Sequence, residues 1–219
     1  TASNGTSVVL DDGAKSSDYL EIVAWKATAT SGLFTGLSTF EFTATANQTV
    51  LNGADENSNT LSYTVGKVLV FLNGVLMDNR SGTDYTETSA TTITFSSGLQ
   101  VNDTVIVKAY AGSKPFTRYQ YDITAASTSS ISGNDANNLP LSVIPKYTEV
   151  FVNGVLVKKG QWNSGSGTAI NFEEALTDPN YVIDVIDYGY NTPEVNIFLD
   201  TIPFLGGNLD TNGKDIISS

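Results

Sequence analysis

The sequence writes one phrase twice. "VLVFLNGVLMDN" begins at Val68 and "TEVFVNGVLVKK" at Thr148, eighty residues on, each built around the same Asn-Gly. Self-similarity at a fixed spacing constrains a chain more than any composition does, because it calls for a string of like modules and not for one continuous fold. Each copy reads locally as strand, tight turn, strand. Val68–Leu72 and Glu149–Val152 are rich in β-branched and aromatic residues, which suit a pleated surface. Asn73-Gly74 and Asn153-Gly154 supply the two positive-φ positions of a type I′ hairpin turn.

The likeness spreads outward from the hairpin. Gly53, Asp55, Asn57 and Leu61 fall on Gly133, Asp135, Asn137 and Leu141, and Phe42 lies over Tyr121 after a one-residue slip. Downstream, "GTDYTETSATTITF" matches "KGQWNSGSGTAINF", pairing Tyr85 with Trp162, Ile93 with Ile170 and Phe95 with Phe172. Both copies close on an apolar strand, "DTVIVKAY" and "YVIDVIDY". A partial third copy opens the chain: "TSVVLDDGAKSSDYLEIVAW" lies over "TTITFSSGLQVNDTVIVKAY" without a gap, at a shift of eighty-five.

The organisation that follows places the C-terminal half of a first module at 1–27, a linker at 28–39 and a second module at 40–111. A linker at 112–118 leads to a third module at 119–190, and 191–219 opens a further segment of different character. A chain that starts in mid-module is expected to be part of a longer protein. Short strands with turn signals every eight to twelve residues predict an all-β fold, in tandem small antiparallel β-sandwich or barrel-like modules arranged as a rod. The one helical candidate, "FEEALTD" from Phe172, is too short to matter and reads as a turn before the last strand, like its counterpart "FSSGLQV". A module of about 70 residues lies near the lower limit for folding alone without disulfides or metal, so packing against a neighbour or another copy is expected.

Composition narrows the function. A net charge of −12, with Arg80 and Arg118 the only arginines, argues against nucleic acid, whose phosphates need clustered cations. No stretch approaches the roughly 20 apolar residues of a membrane span, so no membrane insertion is expected. The first residues carry neither the basic start nor the apolar run of a signal peptide. Cysteine and histidine are both absent, which removes disulfides, the commonest general base and the commonest metal ligand.

Little chemistry remains. Adjacent carboxylates such as Glu173-Glu174 would point to opposite faces of a strand, so no catalytic residue and no enzyme activity is expected. The loops "NGADENSN" and "SGNDANN" offer the hard oxygen ligands that Ca²⁺ takes, although Asx turns use the same letters. Calcium is therefore the one cofactor to consider. Tyr85 and Trp162, equivalent by position, suit either a core or an exposed platform for stacking on a sugar ring.

The repeated "VFLNGVL", "GTDYT", "TTITFSSGL" and "NDTVIVKAY" resemble the β-repeat of virion structural and tail-fibre-like proteins of tailed phages, especially cyanophages. The terminal "PFLGGNLDTNGKDIISS" is similar to a segment recurring in phage fibre proteins. The resemblance covers nearly the whole chain. It implies a non-enzymatic, homotrimeric part of a tail fibre or appendage, located on the virion and so extracellular. Its tandem β-modules would act as spacer and host-surface adhesion elements, in contact with other virion proteins or host-surface glycan. The competing expectation is a carbohydrate-binding or adhesin module of a secreted or cell-surface bacterial protein.

Overall fold

The computed structural model describes residues 8–10, 13–16, 18, 20, 22, 36–80, 83–111, 115–125 and 127–189. The expected terminal segment 191–219 and most of the 28–39 linker lie outside these residues. The fold is all-β and antiparallel. The second module holds β1 (Leu37–Thr43), β2 (Gln48–Asn52), β3 (Val68–Leu72), β4 (Val75–Leu76), β5 (Tyr85–Ser89), β6 (Thr92–Leu99) and β7 (Thr104–Tyr110). The third repeats the series as β8 (Thr117–Asp122), β9 (Thr128–Ser132), β10 (Thr148–Val152), β11 (Val155–Leu156), β12 (Trp162–Asn163), β13 (Ala169–Leu176) and β14 (Val182–Asp187). A 3₁₀ turn at Pro145–Tyr147 precedes β10.

The topology is the same twice. One sheet runs β1-β7-β3-β4 and its counterpart β8-β14-β10-β11; the other runs β2-β6-β5 and its counterpart β9-β13-β12. Register follows the sequence equivalences. Tyr85 pairs with Phe95 where Trp162 pairs with Phe172, and Val70 pairs with Val107 where Val150 pairs with Val185. Within each module the two sheets close over one apolar core. Phe40, Phe42, Leu51, Val68, Val70, Tyr85, Ile93, Phe95, Val105 and Val107 fill the second, and Tyr119, Tyr121, Ile131, Val150, Trp162, Ile170, Phe172, Ile183 and Val185 fill the third.

The hairpins form as the Asn-Gly pairs require. Asn73 and Gly74 sit at φ 50° and 84°, and Asn153 and Gly154 at 48° and 75°, so both central residues of each turn are left-handed. Asn73 Oδ1 and Asn153 Oδ1 then accept the backbone N–H of Thr104 and Val182, tying each turn to the final strand of its module.

Two expectations need correction. "FEEAL" is not a turn: Phe172–Leu176 continues β13, and "FSSGL" continues β6. Each strand carries a register shift against its partner, between Asn171 and Leu176 and between Gln48 and Val50, so a bulge absorbs what looked like a break. At the latter, Gly98 lets Asn47 approach: an added Cβ would lie 3.0 Å from the Asn47 Cα. Second, β1 and β8 start at Leu37 and Thr117, inside stretches read as linkers, because Leu37 and neighbouring Phe116 have apolar contacts of their own to make.

Most of the expected half-module at 1–27 lies outside the described residues. Its turn nevertheless survives. Lys15 N–H donates to Asp18 Oδ2 at 2.7 Å, as Gln100 N–H does to Asp103 Oδ2 at 2.7 Å, eighty-five residues later. Val8, Leu10, Leu20 and Ile22, whose equivalents are core residues, stand 42–60% exposed. In the full modules the equivalent strands are the central strand of each sheet, with neighbours on both sides.

Candidate functional site at the seam between the modules

Val68–Leu72 alternates nothing: Val68, Leu69 and Val70 are all buried, and Phe71 and Leu72 half-buried. A strand apolar on both faces belongs to a sheet covered on both faces. One face lies on the module's own core. The other, carrying Leu69, Phe71, Leu76 and Tyr110, packs on the matching face of the third module, carrying Phe151, Leu156, Ile186 and Tyr188. Four sheets are therefore layered, with the two hairpin sheets in the middle.

The contact joins like to like. Tyr110 meets its equivalent Tyr188 with ring centroids 5.9 Å apart, and Phe71 meets its equivalent Phe151 at 6.3 Å. Leu76 and Leu156 lie in the same cluster, as do Leu37 and Phe116. Residues touch their own counterparts only near a twofold axis, so the two modules are arranged as the halves of an isologous dimer.

Polar groups along one margin break that symmetry. Arg118 Nε donates to Asp184 Oδ1 at 2.8 Å, both side chains nearly fully buried, and Arg118 Nη2 donates to the Met77 carbonyl across the seam at 2.9 Å. Gln120 Nε2 donates to Asp78 Oδ1 at 2.9 Å, Arg80 bridges Asp78 and Asp122, and Leu76 N–H donates to the Gly154 carbonyl at 2.9 Å. Beside this margin opens a cleft of about 430 Å³, lined by Asp78, Arg80, Thr83, Asp84, Asn153 and Asp184 with apolar neighbours from both modules.

The electrostatics follow from burial. Desolvation raises Asp184 above the ordinary carboxylate value, with the Arg118 charge opposing it, and desolvation raises Asp187 in the same way. Burial also works against Asp78, but hydrogen bonds from the Arg80 side chain and backbone and from Gln120 outweigh it and hold that carboxyl low. Tyr110 is pushed up to about 12 by burial; Tyr188, buried beside Glu149, rises further and donates to Glu149 Oε2. These phenols stay neutral. The seam is built to hold two faces together.

The other candidates resolve into packing. Tyr85 is 1% exposed and Trp162 4%, both inside their module cores, and Lys159 Nζ lies 3.9 Å from the centre of the Trp162 ring. Neither ring offers a face to a sugar, so the stacking platform is withdrawn; position in the repeat equated the two residues without telling inside from outside.

In the calcium-like loops, Asp55 Oδ1 accepts the N–H groups of Asn57 and Asn59, and Oδ2 that of Glu41 on β1. Asp135 repeats this with Asn137, Leu139 and Gln120 on β8. The loop thereby covers the free edge of the first strand of each module, a device that blocks strand addition. Those backbone bonds outweigh desolvation and hold Asp55 below its ordinary value. Among the described residues no group of three or more carboxylates is placed to hold a metal ion.

Sequence reasoning missed the seam. Its signal was there: an unalternating "VLVFL" and carboxylates inside the otherwise apolar "YVIDVIDY". Among the described residues no helix is long and apolar enough to cross a membrane. Compared with protein-family models and with curated proteins, the chain matches none.

Proposed function

We propose that the chain is a non-enzymatic structural part of a virion appendage of the tail-fibre kind, in which the paired β-modules act as a stiff spacer. The observation that carries this reading is the seam: two copies of one sandwich are fixed to each other by a continuous apolar layer and by polar bonds such as that from Arg118 to the Met77 carbonyl. A spacer needs stiffness between its units, and an interface filled with side chains supplies it. The duplicated motif and the terminal "LGGNLDTNGKDI" add the resemblance to phage fibre repeats. In this reading the appendage is homotrimeric, extracellular, and contacts other virion proteins or host glycan, with multivalency raising avidity where three copies face one surface.

The test is the mass of the full chain in solution by light scattering, together with a glycan-array screen. A trimer that retains no glycan through these two modules is the expected result. A monomer that binds a defined sugar would replace this reading with a carbohydrate-binding module.

A further inference from the structure

Each module carries the same groove on its flank. In the second it lies between Met77, just after β4, and the bulged end of β6; in the third, between Val157, just after β11, and the bulged end of β13. The correspondence runs residue for residue. Leu72 and Met77 line one groove where Val152 and Val157 line the other, and Ser96 and Ser97 stand where Glu173 and Glu174 do. The backbone agrees: Met77 N–H donates to the Val70 carbonyl and Val157 N–H to the Val150 carbonyl, both at 2.8 Å. The bulge decides what borders the opening. On a regular strand Glu173 and Glu174 would face opposite ways, but the register shifts between Asn171 and Leu176 and both residues line one groove.

Neither groove is lined by a lysine or an arginine, and each is lined by two carboxylates: Asp84 and Asp103 in the second module, Glu173 and Glu174 in the third. These acids are not equivalent by position, so copying the module does not by itself account for the shared charge. Asp84 and Asp103 accept the backbone N–H groups of Asp78 and Gln100, which leaves their charge in place. None of the four is ion-paired among the described residues. At about 240 and 140 Å³ the grooves fall below the roughly 300–1,000 Å³ of a small-molecule pocket, and one long side chain is the size that fits. We propose that they dock lysine or arginine side chains of a partner protein, the alkyl stem on the apolar floor and the cationic head at the acidic rim. These two side chains divide in that way wherever apolar surface borders charge. Charge complementarity selects them, since a chain of net charge −12 repels a nucleic acid or an anionic lipid surface. The inference concerns the grooves alone and stands whether or not the chain belongs to a virion.

Titration of the full chain with the blocked peptide Gly-Leu-Lys-Gly, followed through the protein's amide chemical shifts, tests this. Saturable shifts are expected at Met77, Ser96 and Ser97 and at Val157, Glu173 and Glu174, and the arginine peptide is expected to reproduce them. A norleucine peptide keeps the stem without the charge and is expected to bind about tenfold more weakly. The same loss is expected for the lysine peptide at the third-module groove of the double variant Glu173→Gln with Glu174→Gln. Both of those side chains are exposed, so the variant keeps its fold and its second-module shifts. The absence of saturable shifts at both grooves would overturn the proposal. So would equal binding of the norleucine peptide, or a third-module groove indifferent to the double variant. Spermine shifting the same amides as strongly as the lysine peptide would mark a site for any cation and overturn the protein partner.

Discussion

Arg118 and Asp184 are 66 residues apart in sequence and meet as a buried ion pair at 2.8 Å, on the sheet face that the third module turns to the second. The guanidinium is anchored twice, to the carboxylate of its own module and to the Met77 carbonyl of the other. It is the point where the fold of one module and its attachment to the next depend on the same side chain.

Loss of that side chain is expected to be costly. Arg118→Ala leaves Asp184 buried and uncompensated, which costs about 3–5 kcal/mol. Arg80→Ala removes contacts that include Asp122, whose side chain is 53% exposed, and its expected cost is about 1 kcal/mol. Chemical denaturation of the two variants checks the contrast, and equal losses would count against it.

The hairpin glycines separate local strain from seam packing. Both occupy left-handed backbone, so alanine costs about 1–2 kcal/mol at either. Only Gly154→Ala also drives a methyl group into the Leu76 carbonyl. Its loss of stability is expected to exceed that of Gly74→Ala by roughly 1 kcal/mol or more, as overpacking does. Urea midpoints read the difference.

Trp162→Ala is expected to destabilise the protein by about 3–5 kcal/mol, the range for emptying a buried aromatic site. A surface platform would instead lose only ligand binding. Thermal melting of the variant decides, and an unchanged midpoint would return Trp162 to the surface.

Asp135→Ala strips acceptors from the N–H groups of Gln120, Asn137 and Leu139. The expected cost is about 1–3 kcal/mol for leaving such groups unsatisfied. Calcium addition is expected to leave the wild-type melting temperature unchanged. A rise in the wild type that the variant lacks would restore the metal reading of this loop.

The pH response has two limbs. Asp184 and Asp187 have folded values raised by burial, so between the ordinary Asp value and the raised one the folded state binds more protons than the unfolded state. Stability therefore falls as pH rises through that window and is regained as pH drops through it. Asp55 and Asp78 are lowered, so their contribution is present above the ordinary Asp value and is lost as pH falls through their folded values. A maximum in mildly acid solution is expected, and Asp187→Asn should flatten the neutral limb. Denaturation midpoints across a pH series test both signs.

Much of the fold was legible because its signals are local. Asn73-Gly74 and Asn153-Gly154 dictate their turns whatever surrounds them, and the equivalence of Tyr85 with Trp162 survives as equivalent register. What was not legible depends on partners distant in the chain. Whether Trp162 faces core or water is decided by Lys159 and by the opposite sheet, and "FEEAL" stays in a strand because Phe172 pairs with Trp162 and Leu176 with Thr128, on either side of the bulge. The seam had a trace in "VLVFL", where leucine and phenylalanine stand at positions an exposed face would give to polar residues. Naming what covers that face required the third module in place.

That like-facing contact carries an arithmetic of its own. A surface spent on holding its twin is closed to any third unit, so this pairing cannot be extended by adding more of the same, as a stack of coins can. Length built from such a repeat must come in couples, with a different joint between one couple and the next.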